Sequence, residues 1–187
     1  MTTTLPNSLA RGPVALLFFV VLGLFSGCAS YQLGAPAELP FKTIYIRPTS
    51  NDSFAPQAQA IVSSQLRKQL IRDGRVQLVS NEAEADTVLA VNLAEYRRSS
   101  GARRSTDTVV ASDFIISLTA DISLYNPSKG DYFFEDRRLT GSTKTYTENP
   151  YETGLRTQAY QQSEYQAMPL LARDLARKIA DEVLSVW

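Results

Sequence analysis

The chain contains one cysteine, Cys28, and no histidine among its 187 residues. Without histidine, neither a Ser-His-Asp triad nor a Cys-His nucleophile pair can form. The usual zinc sites draw on histidine and cysteine ligands, so the sequence predicts no metal site. The chemistry that remains open to Cys28 is modification of its own thiol.

An apolar run, Val14–Phe25, ends shortly before Cys28 and follows a polar start that includes Arg11. This is the layout of a secretory signal. The run has twelve residues, too few to remain as a membrane span, which needs about 20. Ser26 and Gly27 are small, as a signal peptidase requires. A cysteine directly after them resembles the bacterial lipobox, in which the thiol is acylated before cleavage.

We therefore expect residues 1–27 to be a lipoprotein signal peptide. Cys28 is expected to carry a covalent N-acyl group and a diacylglycerol, with no other cofactor. The alternative is an ordinary signal peptide followed by an incidental cysteine. Removing residues 1–27 takes away Arg11 and no acidic residue, so that 18 basic and 19 acidic residues remain. This balance gives no global argument for a nucleic-acid partner, and none is expected.

Four arginines fall within residues 97–104, a segment that the sequence predicts to be a loop between two strands. Guanidinium groups pair with phosphates in a bidentate manner, so this segment is a candidate contact to phosphates or to acidic groups of a partner. The candidates are Arg97, Arg98, Arg103 and Arg104, with Lys129, Arg137 and Arg138 as weaker candidates at the other end of the domain. The alternative is a solvated loop that only aids solubility.

Carboxylates could still support catalysis, because two Asp or Glu residues suffice for glycoside hydrolysis. Seven of the 19 acidic groups lie in predicted turns and strand edges, where solvated charge is expected. They are Asp73, Glu82, Glu84, Asp86, Asp131, Glu135 and Asp136. We expect no catalytic residue and no enzymatic activity. The alternative, a carboxylate hydrolase, requires a cleft in which two acids face each other.

A single domain over residues 41–187 must position these groups, after a lipidated tether over residues 28–40. Two prolines and a glycine make the tether extended. Residues 41–47 are rich in β-branched and aromatic side chains and predict a first strand. A helix follows, from Pro56 to a stop at Asp73-Gly74, with apolar residues three or four apart.

Three strands are then predicted in succession, at residues 87–93, 114–125 and 132–140, with a turn over residues 126–131. The second of these alternates strictly between apolar and polar side chains, so that one face is buried and one is wet. A last helix is predicted to begin near Met168. A start at Ser163 would place Pro169 inside the helix and force a kink.

Two amphipathic helices and about four strands predict a two-layer α/β (α+β) sandwich. Both helices pack on one face of a mixed, mostly antiparallel sheet. The opposite face remains polar, with Ser117, Thr119, Asp121 and Ser123 along it. This face could bind a partner or could simply contact solvent.

Three stretches of the sequence carry a resemblance to a known family. They are CASYQLG at residues 28–34, LPFKTIYI at 39–46 leading into a helix, and LIRDGRVQLV at 70–79. Together they resemble the LptE family of lipopolysaccharide (LPS) assembly lipoproteins, and the order of the later elements agrees. One extra residue between Cys28 and Tyr31 departs from the family pattern.

The resemblance implies a lipoprotein that is lipid-anchored in the outer membrane and faces the periplasm. It also implies a one-to-one complex with LptD, the β-barrel that inserts LPS into the outer leaflet and that LptE plugs. Ala29, rather than aspartate, after the acylated cysteine is similar to lipoproteins sorted to the outer membrane. LPS and the barrel are then the expected partners of the seven basic candidates. A barrel lumen is polar, and the polar face of the predicted sheet is compatible with such a surrounding.

The opening strand, helix and strand are also similar to those of CsgG-type or TolB N-terminal-type lipoproteins. These proteins act as scaffolds or secretion channels on the periplasmic side. Their folds keep alternating strands and helices, whereas this chain has three successive strands. The LptE interpretation is therefore favoured, and the scaffold remains the alternative.

Overall fold

The computed structural model describes residues 38–55, 57–100, 113–146 and 160–186, without the side chain of Tyr160. Within these ranges the chain forms six strands, two helices and a 3-10 turn at Glu82–Glu84. The elements are β1 (Thr43–Ile46), β2 (Ser50–Asn51), α1 (Ala58–Asp73), β3 (Gln77–Leu78), β4 (Thr87–Ser100), β5 (Asp113–Asn126), β6 (Asp131–Tyr146) and α2 (Tyr160–Val183). Cys28, Pro56, Arg103 and Arg104 lie outside the described residues.

The strands form one sheet in the order β3-β1-β4-β5-β6, and β2 pairs with β4. The short strands pair in parallel, β1 with β3 and β4, and β2 with β4. β4, β5 and β6 form a long antiparallel meander. This confirms the mixed sheet of the predicted sandwich. The sheet has six strands rather than about four. β3 lies within residues 76–79, where the sequence indicates a short extended piece, whereas β2 is only two residues long and shows no hydrophobic period.

β1 and β2 are two parts of one interrupted strand that runs along the same edge of β4. The Arg47 N–H donates to the Leu89 carbonyl oxygen at 3.0 Å, and pairing with β4 resumes at Ser50. Pro48 lies between them and has no N–H to donate. The proline therefore interrupts the strand and leaves a gap in this edge of the sheet.

Helix α1 follows its predicted pattern closely. Ala58, Val62, Leu66 and Leu70 recur every four residues and are all fully buried. Gly74 ends the helix in a left-handed conformation (φ 76°), and its N–H donates to the Leu70 carbonyl at 3.2 Å. The predicted stop at Asp73-Gly74 is confirmed.

Helix α2 begins at Tyr160, earlier than the predicted start near Met168, and Pro169 lies inside it. Pro169 cannot donate to the carbonyl of Tyr165, which costs the helix one hydrogen bond. Ser163 and Ala167 are nevertheless buried in the turns before the proline, and Glu164 bonds to β4. These tertiary contacts offset the lost hydrogen bond. Local sequence patterns could not predict them, because they join residues that are far apart in the chain.

The core lies between the helices and one face of the sheet. Along β5, Ile116, Leu118, Ala120, Ile122 and Leu124 are fully buried, and the residues between them are only half-buried. They join the buried side chains of both helices in a single hydrophobic cluster. The predicted alternation of β5 is therefore confirmed, and the helices leave the other face of β4, β5 and β6 uncovered.

Gly141 of β6 allows α2 to approach the sheet unusually closely. A Cβ at this position would lie 2.7 Å from the Leu175 Cβ and 2.8 Å from its backbone nitrogen. Side chains of α2 also bond to the backbone of β6: the Ser142 N–H donates to Asp174 at 3.1 Å, and Lys178 donates to the Thr140 carbonyl at 2.7 Å. The helix backbone therefore rests directly on the strand.

We predict that Gly141→Ala destabilises the protein by about 1–3 kcal/mol, because the added methyl group would collide with helix backbone that cannot move aside cheaply. The measurement is the free energy of unfolding by chemical denaturation. Ser142→Ala is the matched control, since it adds no atoms and keeps the backbone bond to Asp174. Equal stability of the two variants would contradict the close approach.

Candidate functional site

The face of β4, β5 and β6 that points away from the helices is called the open face here. The register places Asn92 opposite Asp121, and Thr119 opposite both Glu95 and Thr140. The polar side chains predicted on β5 are all on this face: Ser117, Thr119, Asp121 and Ser123. The central part of the open face is therefore a polar surface built on three long strands.

Hydrogen bonds join the strands across this face. Arg138 makes a bidentate pair with Asp121, with Nε to Oδ1 at 2.8 Å and Nη2 to Oδ2 at 2.9 Å. The hydroxyls of Thr119 and Thr140 are 3.0 Å apart. The hydrogen bond from Arg138 holds the pKa of Asp121 below its usual value, although partial burial opposes this. The charges on this face thus occur largely as neutral pairs.

The structure corrects the prediction that residues 97 and 98 belong to a loop. Arg97 and Arg98 are both in β4, and because side chains alternate along a strand, they point to opposite faces. Arg97 lies on the open face, 69% exposed, with Nη2 at 2.6 Å from Glu95 Oε1. The arginine cluster is therefore divided, with Arg103 and Arg104 outside the described residues.

Arg98 holds the beginning of α2 against β4. Glu164 of α2 is only 12% exposed and accepts from Arg98 Nη2 at 2.8 Å and from Arg98 Nε at 3.1 Å. The Tyr96 hydroxyl donates to the same carboxylate oxygen, Oε1. A largely buried carboxylate needs these donors, so Arg98 has a structural role on the helix side of the sheet.

The weaker candidates are distributed among three locations. Arg138 is on the open face. Arg137 is on the opposite face, paired with Glu182 and 4.7 Å from the centre of the Phe134 ring. Lys129 is exposed in the turn between β5 and β6, and its ammonium group has no bonding partner among the described residues. Of the five candidates that the structure describes, the open face brings together Arg97 and Arg138.

Sequence reasoning missed Lys144, which is exposed on the open face opposite Ile115. It was missed because the strand was predicted to end at Thr140, before a stretch rich in threonine and asparagine. β6 in fact continues to Tyr146, since the glycine is needed for the close approach of α2. Extending the alternation of β6 past Gly141 would have placed Lys144 on this face.

A recess of about 730 Å³ crosses the open face beside the gap at Pro48. It is called the cross-strand groove here and is lined by Arg47, Pro48, Ser50, Ala90, Val91, Asn92, Asp121, Ser123, Asp136 and Arg138. Two acids line it, Asp121 and Asp136, as a carboxylate hydrolase would require. However, a general acid needs a raised pKa, and Arg138 lowers that of Asp121. Asp121 is therefore unsuited to the role of general acid.

Over the described ranges, no group of three or more acidic, histidine or cysteine side chains is arranged to hold a metal ion. No helix in that part of the chain is long and apolar enough to cross a membrane.

Comparison with known proteins identifies the family. The model of the LptE family, described as lipopolysaccharide-assembly, matches residues 41–183. The chain belongs to the LptE family. The resemblance seen in the sequence is thereby confirmed over nearly the whole predicted domain. No curated protein sequence matches the chain.

This LptE-family chain is similar to several solved structures, and those with TM-scores above 0.5 share its fold. The hypothetical protein CT253 from Chlamydia trachomatis has a TM-score of 0.53 at 14% identity, covering 78% of this chain and 97% of that one. Protein XCC0632 from Xanthomonas campestris has a TM-score of 0.52 at 10% identity, covering 80% and 88%. The rare lipoprotein B from Shewanella oneidensis has a TM-score of 0.45 at 14% identity, covering 76% and 91%. At such identities, the first two structures show a common fold alone.

We predict that Arg138→Gln raises the pKa of Asp121 towards the ordinary value of about 3.9, because the guanidinium no longer stabilises the carboxylate. The pKa of the Asp121 carboxyl is lower in the folded protein than in the unfolded chain. Its ionised form therefore stabilises the fold at pH values above the unfolded pKa, and this stabilisation is lost as the pH falls through the folded pKa. Arg138→Gln should therefore be slightly less stable than the wild type at neutral pH, and this difference should disappear in acid. The measurements are an NMR titration of the Asp121 carboxyl and denaturation at neutral and acidic pH.

Arg97→Gln is the control for this titration, because it removes a guanidinium from the same face and leaves the Asp121–Arg138 pair intact. Its Asp121 pKa should stay low. An Asp121 pKa that does not respond to Arg138→Gln would show that the pair does not form in solution.

Proposed function

We propose that this chain is an outer-membrane lipoprotein that plugs the lumen of an LptD-type β-barrel in a one-to-one complex and assists insertion of LPS into the outer leaflet. The family match over residues 41–183 carries the proposal. Cys28 would bear the lipid, on the periplasmic side of the membrane. Residues 28–40 would form a tether of at most about 40 Å, at 3.3–3.6 Å per residue. The protein would act without catalysis.

The open face supports a role as a plug. A surface inside a barrel lumen must be polar, and it loses part of its water when it is enclosed. Burying an unpaired charge is costly, whereas a charge that is already paired and hydrogen-bonded keeps its partner. Asp121–Arg138 and Glu95–Arg97 are such pairs. The face can therefore enter a polar enclosure without leaving these four charges unpaired.

Two basic side chains on this face would contact LPS phosphates. Arg97 keeps the Nη1 side of its guanidinium available, because Nε and Nη2 bond to Glu95. Lys144 has no partner among the described residues and lies on the other side of β5 at the same end of the face. Arg103 and Arg104 follow Arg97 in the sequence and remain candidates. Lys129, at the opposite end, is a candidate contact to the barrel.

We predict that a photo-reactive residue at Thr119, on the open face, cross-links the chain to a large outer-membrane barrel protein in a one-to-one adduct. The same residue at Lys68, on the exposed side of α1, is the matched control and should cross-link less. The measurement is the mass of adducts after affinity purification of the full chain from detergent-solubilised membranes.

Three results of this experiment would contradict the proposal. Recovery of the chain without any barrel protein would overturn the plug role. Adducts formed from Lys68 and not from Thr119 would overturn the assignment of the open face. Adducts at multiples of the mass of this chain would support the scaffold alternative, since they indicate a ring of identical subunits.

We predict that Arg97→Ser weakens LPS binding and reduces its dependence on salt, because one exposed cation is lost from the open face. Arg98→Ser is the matched comparison one residue away. It should lower the melting temperature, since Glu164 loses its charged partner, and should change LPS affinity less. The measurements are LPS binding at low and high salt and thermal unfolding. Unchanged LPS affinity of Arg97→Ser at low salt would remove the proposed contact.

A further inference from the structure

The register of the sheet explains why the cross-strand groove exists. Arg47, Ala90, Ser123 and Asp136 form one row across the strands, and the two central residues of the row have short side chains. Arg47 lies at one end of this row and Asp136 at the other. The volume of about 730 Å³ is in the range of small-molecule sites, roughly 300–1,000 Å³. The groove is therefore large enough for a ligand of several rings.

The next row towards the β5–β6 turn is largely aromatic. Tyr45 pairs with Val88, Val88 with Tyr125, and Tyr125 with Tyr132. The rings of Tyr125 and Tyr132 have centroids 5.0 Å apart, and Tyr132 is 49% exposed. Aromatic faces attract the weakly positive C–H groups of a ligand. One side of the groove is thus bordered by aromatic rings.

The row on the other side of the groove consists of planar polar groups. Asn92 accepts from the Ser50 hydroxyl at 2.9 Å and donates to Asp52 at 2.8 Å, which leaves one amide N–H and one oxygen lone pair. Arg138 uses Nε and Nη2 for Asp121, so that its Nη1 group is available. The groove therefore offers donors and acceptors side by side.

A bulge in β6 brings Asp136 into the groove. Ile122 pairs with Arg137 and Leu124 with Phe134, so that two residues of β6 oppose Ser123 alone. Asp136 has a φ of 47°, an unusual value for a residue other than glycine. The Ser123 hydroxyl holds this conformation by accepting from the Asp136 N–H at 2.9 Å. Bulges often redirect a side chain at a binding site.

The charges of the groove favour an uncharged ligand. Its ionisable side chains are Arg47, Arg138, Asp121 and Asp136, two positive and two negative. Both guanidinium groups are already paired with a carboxylate, Arg47 with Glu82 and Arg138 with Asp121. Asp136 has no cationic partner among the described residues, so it would repel a phosphate. At Arg97, the proposed phosphate contact, the exposed Lys144 instead adds a second positive charge at the same end of the face. A ligand with many hydroxyls could use the remaining donors and acceptors without a charge penalty.

We propose that the cross-strand groove is a binding site for a neutral carbohydrate of a few sugar units. The C–H face of a sugar ring stacks towards the tyrosine row. Its adjacent hydroxyls pair with the planar groups of Asn92, Asp121 and Arg138. This site goes beyond the proposed plug role and does not depend on it. Carbohydrate binding can be measured on the isolated chain, without a barrel protein.

The test uses the purified full chain in a detergent without sugar head groups and a printed array of short neutral oligosaccharides. At least one should bind, with an affinity that does not change with salt concentration, since no ligand charge is screened. Inorganic phosphate should not compete. Ala90→Leu should weaken binding of the best oligosaccharide by about tenfold or more, the loss of one good contact. Asn92→Ala should also weaken binding of this oligosaccharide, and it leaves the short side chains of Ala90 and Ser123 in the groove unchanged.

Ser117→Leu is the matched control, because it places the same leucine on the open face outside the groove. It should bind within about twofold of the wild type, a difference of less than about 0.5 kcal/mol. Circular dichroism tests whether each variant is folded. If Ala90→Leu does not fold, the binding of Asn92→Ala decides the question. The proposal is overturned if no oligosaccharide binds, if phosphate displaces the bound sugar, or if both groove variants bind like the control.

Discussion

The strict alternation of side chains along β5 is the constraint on which the rest of this structure depends. Every second residue from Ile116 to Leu124 is fully buried under the helices, and a shift of one residue would exchange the two faces completely. The register therefore cannot slip. Because β5 is the central strand of the antiparallel meander, it also determines which residues of β4 and β6 reach the open face.

The fixed register in turn determines which charges meet. Asp121 is opposite Arg138 because β5 and β6 pair in one register only. A bulge between Leu93 and Glu95 in β4 shifts the phase of that strand, so that Glu95 and Arg97 reach the open face together. A surface whose charges are paired within itself can be enclosed without stranding a charge. Core packing on one face thus gives the other face its chemical character.

Features that depend on local sequence could be predicted, and features that depend on distant contacts could not. The alternation of β5 and the end of α1 at Gly74 are local patterns, and both predictions were correct. The start of α2 was wrong because Glu164 is held by Arg98 and Tyr96, residues far away in the sequence. β6 was predicted too short because the packing of Gly141 against Leu175 is visible only in three dimensions.

The candidate site shows the same division. The open face was predicted from β5 alone, whereas the arginine cluster was interpreted from spacing, which cannot show that neighbouring residues of a strand point apart. Arg98 became part of the helix attachment and Arg97 part of the polar face. The groove required still more information: a proline that interrupts one edge, two short side chains in one row and a bulge in β6. Each feature has its own local cause, but only the register brings them together in a single recess.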